Sequence, residues 1–249
     1  MTITGEDDII GLRKAGAAVA AALAAMQRAV RPGITPLELD AIGARVLDRH
    51  GARSAPQLAY DFPCVTCISV GDAVAHGIAD ATPLKSGQML NIDVSAELDG
   101  YWADMGASMT VGEPSPEQRR LLAATREAQQ RGMDVVRAGR PLNLIGRTVE
   151  GVARQAGYRV APELNGHGVG RGIHEEPTVA NFYLPLERGA LPEGLVITIE
   201  PFLTPGSGEI YTDADGWTLR TADRTPMAQF EHTLIVTRDK PIVVTAPAG

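Results

Sequence analysis

Leu90-Asn91-Ile92-Asp93-Val94-Ser95-Ala96-Glu97-Leu98, then Asp99-Gly100, then Tyr101-Trp102-Ala103-Asp104, is the stretch on which the architecture turns. Asp-Gly between two β-type runs is a strong hairpin signal, because both central turn residues must take positive φ. With Asp99 and Gly100 as the central pair, Asp104 falls opposite Ser95. Side chains alternate faces along a strand, so Asp93 shares the face of Ser95. The two aspartates become diagonal cross-strand neighbours, with Cβ atoms roughly 7 Å apart. Two anions on one half-buried face repel each other and lose hydration. Cations between them would relieve both costs, so the hairpin reads as half of a metal site.

Working outward, residues 7–30 predict a long Ala-rich helix and 35–50 a second. The second is well signed: Thr35 as N-cap, Pro36 at the first position, Glu38 closing a capping box, Gly51 past the end. Strands are predicted at 65–70, 88–96 and 101–111. A third helix opens at Ser115-Pro116-Glu117-Gln118 and runs to about Arg137; a fourth covers about Asn143 to Ala156. Strands return at 195–200, 228–237 and 242–245. The order helix, helix, strands thus occurs twice. A shift of 106 overlays residues 31–56 on 137–162 without a gap, and seven of these 26 positions are identical, Gly33/Gly139, Gly51/Gly157 and Arg53/Arg159 among them. One register further out, Leu-Asn-Ile-Asp (90–93) overlays Ile-Thr-Ile-Glu (197–200), which makes Glu200 the counterpart of Asp93. Two readings remain: helix–turn boundaries that resemble each other for local reasons, or two α+β halves whose carboxylates meet at a pseudo-twofold axis.

With 249 residues, 44% hydrophobic and 21% charged, the chain can bury a full core. A net charge of −7 argues against nucleic acid or an anionic membrane as partner. The longest apolar stretch, Ala15 to Met26, is about half a membrane span. Glu6, Asp7 and Asp8 ahead of it are wrong for a signal peptide. Two cysteines, Cys64 and Cys67, cannot build a disulfide scaffold. Together these features predict a reducing cytosolic setting.

Other acids and histidines extend the site. Glu200 ends Leu195-Val196-Ile197-Thr198-Ile199, and an acid at the end of a buried strand is costly unless paired or bound to metal. Glu231 shares a strand face with Thr233 and Ile235. An inward acid bound to an arginine is the competing reading for either glutamate alone. His50 sits near a helix end where the dipole favours a cation. His232 points away from the Glu231 face. His76 follows a strand in Val74-Ala75-His76-Gly77-Ile78. His167 and His174 lie seven apart in Asn165-Gly166-His167-Gly168-Val169-Gly170-Arg171-Gly172-Ile173-His174, where alternate glycines let backbone approach a ligand. Singly, each of these three histidines also has a structural reading. The Gly166–Gly172 run does not fit GxGxxG, His174-Glu175-Glu176-Pro177-Thr178 fails HExxH, and Cys64-Val65-Thr66-Cys67 leads into a strand rather than a redox helix. No serine sits in a GxSxG elbow.

Taken together, Asp93, Asp104, His167, Glu200 and Glu231 at these spacings resemble the methionine aminopeptidases. The matching segments are Val-Ala-His-Gly-Ile (74–78), Asn-Ile-Asp-Val (91–94), Asp104, Gly-His-Gly-Val-Gly-Arg-Gly-Ile-His-Glu-Glu-Pro (166–177), Ile-Thr-Ile-Glu-Pro (197–201), Asp-Gly-Trp-Thr (215–218) and Gln-Phe-Glu-His-Thr (229–233), spread from about Asp7 to Thr237. The resemblance implies an α+β, pita-bread fold of two pseudo-symmetric halves, with antiparallel sheet inside and helices on the outer face. It implies one catalytic peptidase domain over 1–249, with the internal repeat at roughly 7–112 and 115–237, in the short bacterial form. It implies two divalent ions, Co²⁺, Mn²⁺, Fe²⁺ or Zn²⁺: Asp93 on one, Asp104 and Glu231 bridging, His167 and Glu200 completing the second. Such an oxygen-rich set suits hard or borderline cations.

The implied reaction removes the N-terminal methionine of nascent proteins, with metal-activated hydroxide attacking the first peptide bond. Glu200 resembles the proton shuttle. His76 and His174 resemble the pair that hydrogen-bonds the peptide and its tetrahedral intermediate. Phe62, Cys67, His174 and Trp217 are the pocket candidates, with His76 beside them. The implied partners are N-terminal peptides of newly made proteins, with the ribosome as a further candidate. A cytoplasmic monomer without nucleic-acid or membrane contacts is expected. Ile173 stands where many relatives carry phenylalanine, Ala79 where proline is usual, and Gly71 where asparagine is frequent near a monovalent-cation site. Two other readings share the fold: an Xaa-Pro peptidase, and a non-catalytic relative that only binds peptides.

Overall fold

Both predicted capping boxes close in the computed structural model, which describes residues 1–246. Thr35 Oγ1 accepts from the Glu38 amide at 3.1 Å while the Glu38 carboxylate accepts from the Thr35 amide at 2.8 Å. Ser115 and Gln118 make the same exchange at 3.2 and 2.9 Å. The first repeat runs α1 (Glu6–Ala29), α2 (Pro36–Arg49), β1 (Arg53–Ser54), α3 (Ala55–Tyr60), β2 (Cys67–Val70), β3 (Ala73–Ala75), β4 (Met89–Leu98) and β5 (Tyr101–Thr110). The second runs α4 (Pro116–Asp134), α5 (Asn143–Gln155), β6 (Arg159–Val160), β7 (Gly166–Gly168), β8 (Glu175–Val179), β9 (Val196–Ile199) and β10 (Phe202–Thr204). It continues through β11 (Ile210–Thr212), β12 (Leu219–Thr221), β13 (Ala228–Gln229), β14 (His232–Ile235) and β15 (Ile242–Val243).

α1 is long and apolar enough to cross a membrane by length and composition. Its composition has a simpler cause: Ala15, Val19, Ala22, Leu23 and Met26 repeat at helical spacing and are buried in the core shared with Leu39 and Val46 of α2 and with Ile92, Val94 and Ala103 of the β4–β5 hairpin. The hairpin has the expected register, Ser95 opposite Asp104 and Leu98 opposite Tyr101. Asp99 and Gly100 take φ of 52° and 82°, the turn that a two-residue hairpin demands. β4 pairs β5 along one edge and β2 and β1 along the other. A second antiparallel sheet has the order β15-β14-β9-β7-β8. The two sheets join at β5, where Ala107 bridges Phe230 and the Glu231 amide donates to Gly106 O at 2.9 Å.

The duplication is visible in hydrogen bonds. Gly33 N donates to Leu84 O at 2.8 Å and Leu84 N to Ile34 O at 2.8 Å; Gly139 N donates to Leu191 O at 2.9 Å and Leu191 N to Arg140 O at 2.8 Å. Ala52 N to Leu47 O is repeated as Tyr158 N to Ala153 O. Local turn chemistry does not explain partners some fifty residues apart. Gly33, Gly51, Gly139 and Gly157 all have positive φ, which is why these identities survive in both copies. Two expectations shift. The third helix stops at Asp134, short of Arg137, and the predicted strand 228–237 is broken at Phe230-Glu231, between β13 in a β13-β10-β6 sheet and β14 in the five-stranded one, where Ala107 of β5 bridges Phe230.

Candidate metal centre

Every candidate named from the sequence lines one cleft of about 830 Å³: Asp93, Asp104, His167, Glu200 and Glu231 at its floor, with Phe62, Cys67, His76, His174 and Trp217 along its walls. The floor residues come from both repeats. Asp93 and Asp104 stand on β4 and β5, His167 on β7, Glu200 just past β9 and Glu231 just before β14. One oxygen each from Asp104 and Glu231 and one His167 nitrogen lie within 4.8 Å of one another. His167 Nε2 is 3.3 Å from Glu200 Oε1 and 3.9 Å from Asp104 Oδ2. Asp104, Glu200 and Glu231 each feel the charge of Asp93 and of another acid of the floor.

The electrostatics of this floor are those of unneutralised acids. Burial pushes the Asp93 carboxyl up to about 6. Asp104, Glu200 and Glu231 go well above the ordinary carboxylate range, first through burial and then through one another's charge. His167 cannot offset them, because burial and the neighbouring His174 lower it to about 4 and leave it neutral. The arginine reading of the two glutamates fails: among the described residues, the ion-pair neighbour of these acids is His167 alone. Asp104 Oδ1 and Glu231 Oε1 are fully buried without any hydrogen-bond partner. Two orphaned carboxylate oxygens in a cluster whose nitrogen base is a neutral imidazole fit divalent cations, and all five floor residues are able to donate to them. His167 is preset for that role: Nδ1 faces Gly168 O at 2.9 Å, which leaves the Nε2 lone pair free.

The supports of the floor carry a pattern the sequence reading missed. A polar residue sits two positions before three of the acids, on the same strand face. Thr198 Oγ1 donates to Glu200 Oε1 at 2.8 Å and accepts from the His167 amide at 3.0 Å. Gln229 Nε2 donates to Glu231 Oε2 at 2.9 Å. Asn91 Nδ2 in turn donates to Gln229 Oε1 at 2.8 Å and Ser108 Oγ at 3.1 Å. Gly106 leaves room for this amide relay, since a Cβ there would meet Gln229 Oε1 at 2.3 Å. Asp104 has no such neighbour; Thr233 Oγ1 reaches its backbone from the other repeat, accepting from Asp104 N at 2.9 Å and donating to Asp104 O at 2.8 Å.

The walls are mostly apolar. Phe62 and Trp217 meet edge to face, with ring centroids 5.2 Å apart. Trp217 is set by Asp215, which accepts from the amides of Trp217 and Thr218 at 2.8 Å each. Cys67 lies opposite Asp93 across the β2–β4 ladder, and burial raises its thiol well above the ordinary value, so it serves as a small apolar surface. His76 has φ of 52°, a conformation that a non-glycine residue adopts at a cost. Both His76 and His174 are open to the cleft mouth, and partial desolvation by its walls lowers their pKa values. Ile173 and Tyr60 also line the cleft. Tyr60 went unnoticed because it closes the six-residue α3, which has no periodic signal.

The profile of metallopeptidase family M24 matches residues 11–238. The chain belongs to that family. It is 43% identical over 247 residues to methionine aminopeptidase 2 of Bacillus subtilis (strain 168), covering 98% of this chain and 99% of the relative. The crystal structure of methionine aminopeptidase from Rickettsia prowazekii superposes with a TM-score of 0.94 at 35% identity, covering 99% of this chain and all of that one. The fold, at 24% identity and a TM-score of 0.80, extends to the prolidase of Pyrococcus furiosus, of which this chain covers 66%. The pita-bread fold is therefore established, and the family makes the chain a metallo-aminopeptidase, a hydrolase.

Proposed function

We propose that this aminopeptidase removes the initiator methionine from nascent proteins, using two divalent ions held by Asp93, Asp104, His167, Glu200 and Glu231. The observation that carries the reading is the pair of buried, partnerless oxygens, Asp104 Oδ1 and Glu231 Oε1, inside a ring of unneutralised carboxylates. By the family resemblance, Asp93 would serve one ion, His167 and Glu200 the other, and Asp104 and Glu231 would be shared. When bound, the ions supply Lewis acidity, polarising the scissile carbonyl and acidifying a water. Glu200 takes the proton that this water gives up and passes it to the leaving amide nitrogen. His76 and His174 donate hydrogen bonds to the peptide and steady the charge that develops on its carbonyl oxygen. Phe62, Cys67 and Trp217, with the flanks of the two histidines, receive an unbranched apolar side chain.

One chain supplies every member of the site, so a monomer suffices. The natural substrates are N-terminal peptides emerging from the ribosome in the cytoplasm. The test is hydrolysis of Met-Ala-Ser against Ala-Pro-Ala by the chelated protein and after addition of Mn²⁺ or Co²⁺, with the bound metal counted per chain. Metal-restored cleavage of Met-Ala-Ser with two ions per chain is expected, and Asp104→Ala should abolish it. Preference for the proline peptide would overturn the specificity, and no turnover with any metal would favour a binding protein.

A further inference from the structure

Tyr60 is a half-exposed aromatic with a specific partner. Its hydroxyl lies 2.5 Å from Nδ1 of His174, with the two rings 5.6 Å apart and tilted by 38°. The tyrosine belongs to the first repeat and the histidine to the second, so the contact is made across the cleft rather than within one loop. Its placement is tightly built. α3 is capped by Ser54, whose Oγ accepts from Gln57 N and donates to Val65 O at 2.7 Å. Directly after Tyr60, Asp61 takes left-handed angles (φ 55°, ψ 33°), and its amide closes on Gln57 O. The chain from 54 to 65 is thus a closed loop that carries Tyr60 and Phe62 to the cleft from either side of one sharp turn.

The His174 ring also meets the His167 ring, edge to face at 4.3 Å between centroids and inclined by 72°. Among the described residues no other group hydrogen-bonds the His174 ring. A phenol is a stronger acid than a neutral imidazole N–H, and an imidazole nitrogen a stronger base than a phenol oxygen. The favoured pairing is therefore O–H to Nδ1, which puts the ring proton on Nε2. Burial raises the phenol's pKa, in keeping with a hydroxyl that retains its proton.

We infer that Tyr60 is a positioning residue, whose hydroxyl holds His174 as the Nε2–H tautomer and so presents a fixed hydrogen-bond donor to the peptide in the cleft. The inference rests on the proposed aminopeptidase reading for what the donor serves, but the tautomer itself does not depend on it. In a solution with the bond removed, a neutral imidazole samples both tautomers, and the fraction carrying the proton on Nδ1 presents an acceptor where a donor is needed.

The experiment has two arms. Chelated protein labelled with ¹⁵N-histidine is recorded at pH 8 by long-range ¹H–¹⁵N correlation, with His174 assigned by the signal lost in His174→Gln. The wild type should show His174 as pure Nε2–H, and Tyr60→Phe should move it toward the two-tautomer average. Tyr60→Phe deletes one oxygen from a half-exposed ring, and an unchanged melting curve checks that the fold is kept. With metal restored, kcat for Met-Ala-Ser should fall by about fivefold in Tyr60→Phe, the worth of one net hydrogen bond, with KM and metal affinity within twofold. A wild-type spectrum with the proton on Nδ1, an unmoved tautomer in Tyr60→Phe, or an unchanged kcat overturns the inference. Absence of any peptidase turnover in the wild type removes the proposed function and, with it, the purpose assigned to the donor, while the spectrum still decides the tautomer; a contrary spectrum removes this inference alone.

Discussion

Asp93→Asn should make the metal-free protein more stable and the metal-loaded protein less so. The asparagine keeps the shape and removes a charge that the apoprotein can hardly accommodate. Burial lifts the Asp93 carboxyl from its ordinary 3.8 to about 6. At 1.36 kcal/mol per pH unit, that gap amounts to roughly 3 kcal/mol, a ceiling because Asp93 keeps some access to the cleft. A carboxyl whose folded pKa exceeds its unfolded value binds its proton more tightly when folded. It costs nothing below about pH 4 and its full penalty above about pH 6. His167, lowered to about 4, has the opposite slope over much of the same window, since its burial costs stability as pH falls through 6.5 toward 4. That term is common to both proteins and drops out of their difference. Asp93 also pushes up Asp104 and Glu231, so its neutralisation relieves them in the same direction. For a chain of this length roughly 3 kcal/mol corresponds to up to about 10 °C in melting temperature. The assay is calorimetric melting of wild type and Asp93→Asn, chelated and Mn²⁺-loaded, from pH 4 to 8. A chelated variant that melts at or below wild type at pH 7.5, or a gain that persists at pH 4, refutes the reasoning.

Three other outcomes are expected. Gln229→Leu breaks the amide relay that aims Glu231, and calorimetric titration should show metal binding about 10–100-fold weaker; unchanged affinity would mean that the relay does not orient the carboxylate. Asp40 is a buried acid accepting from Val65 N, Thr66 N and Thr66 Oγ1 at 3.2, 2.8 and 2.7 Å, so Asp40→Ala strands those donors and should cost about 3 kcal/mol in denaturant unfolding. A loss below about 0.5 kcal/mol would show that water replaces the carboxylate there. Trp217→Ala removes the edge-to-face wall beside Phe62 and should raise KM for methionyl peptides about tenfold, and an unaltered KM would place the methionine side chain elsewhere.

The parts of this molecule that were legible in the sequence are those with strong local chemistry. Asp99-Gly100 set a register that brought Asp93 and Asp104 onto one face, and the capping boxes at Thr35 and Ser115 marked where α2 and α4 begin. The glycine identities at a spacing of 106 announced the repeat because each holds a positive φ that few other residues tolerate. The break at Phe230-Glu231 left no trace in periodicity, since alternation continues through it; the cause is a long-range pairing with Gly106 and Ala107. α3 and the short strands β6, β7 and β10 fall below the length at which a period can be read. Tyr60 escaped notice for that reason. The supporting residues Asn91, Thr198 and Gln229 were readable in principle, each two positions ahead of an acid. Alternation along a strand puts each of them on the face of its acid.

Glu231 meets Asp104 because residues 230–231 cross from one sheet to the other. Dications seated at that crossing would rivet the two repeats through their joint. Prying the repeats apart would then have to shed the ions in the same event, so demetallation and collapse become a single slow step. The persistence of the loaded enzyme against cellular proteolysis would be governed by metal supply as much as by its hydrophobic interior.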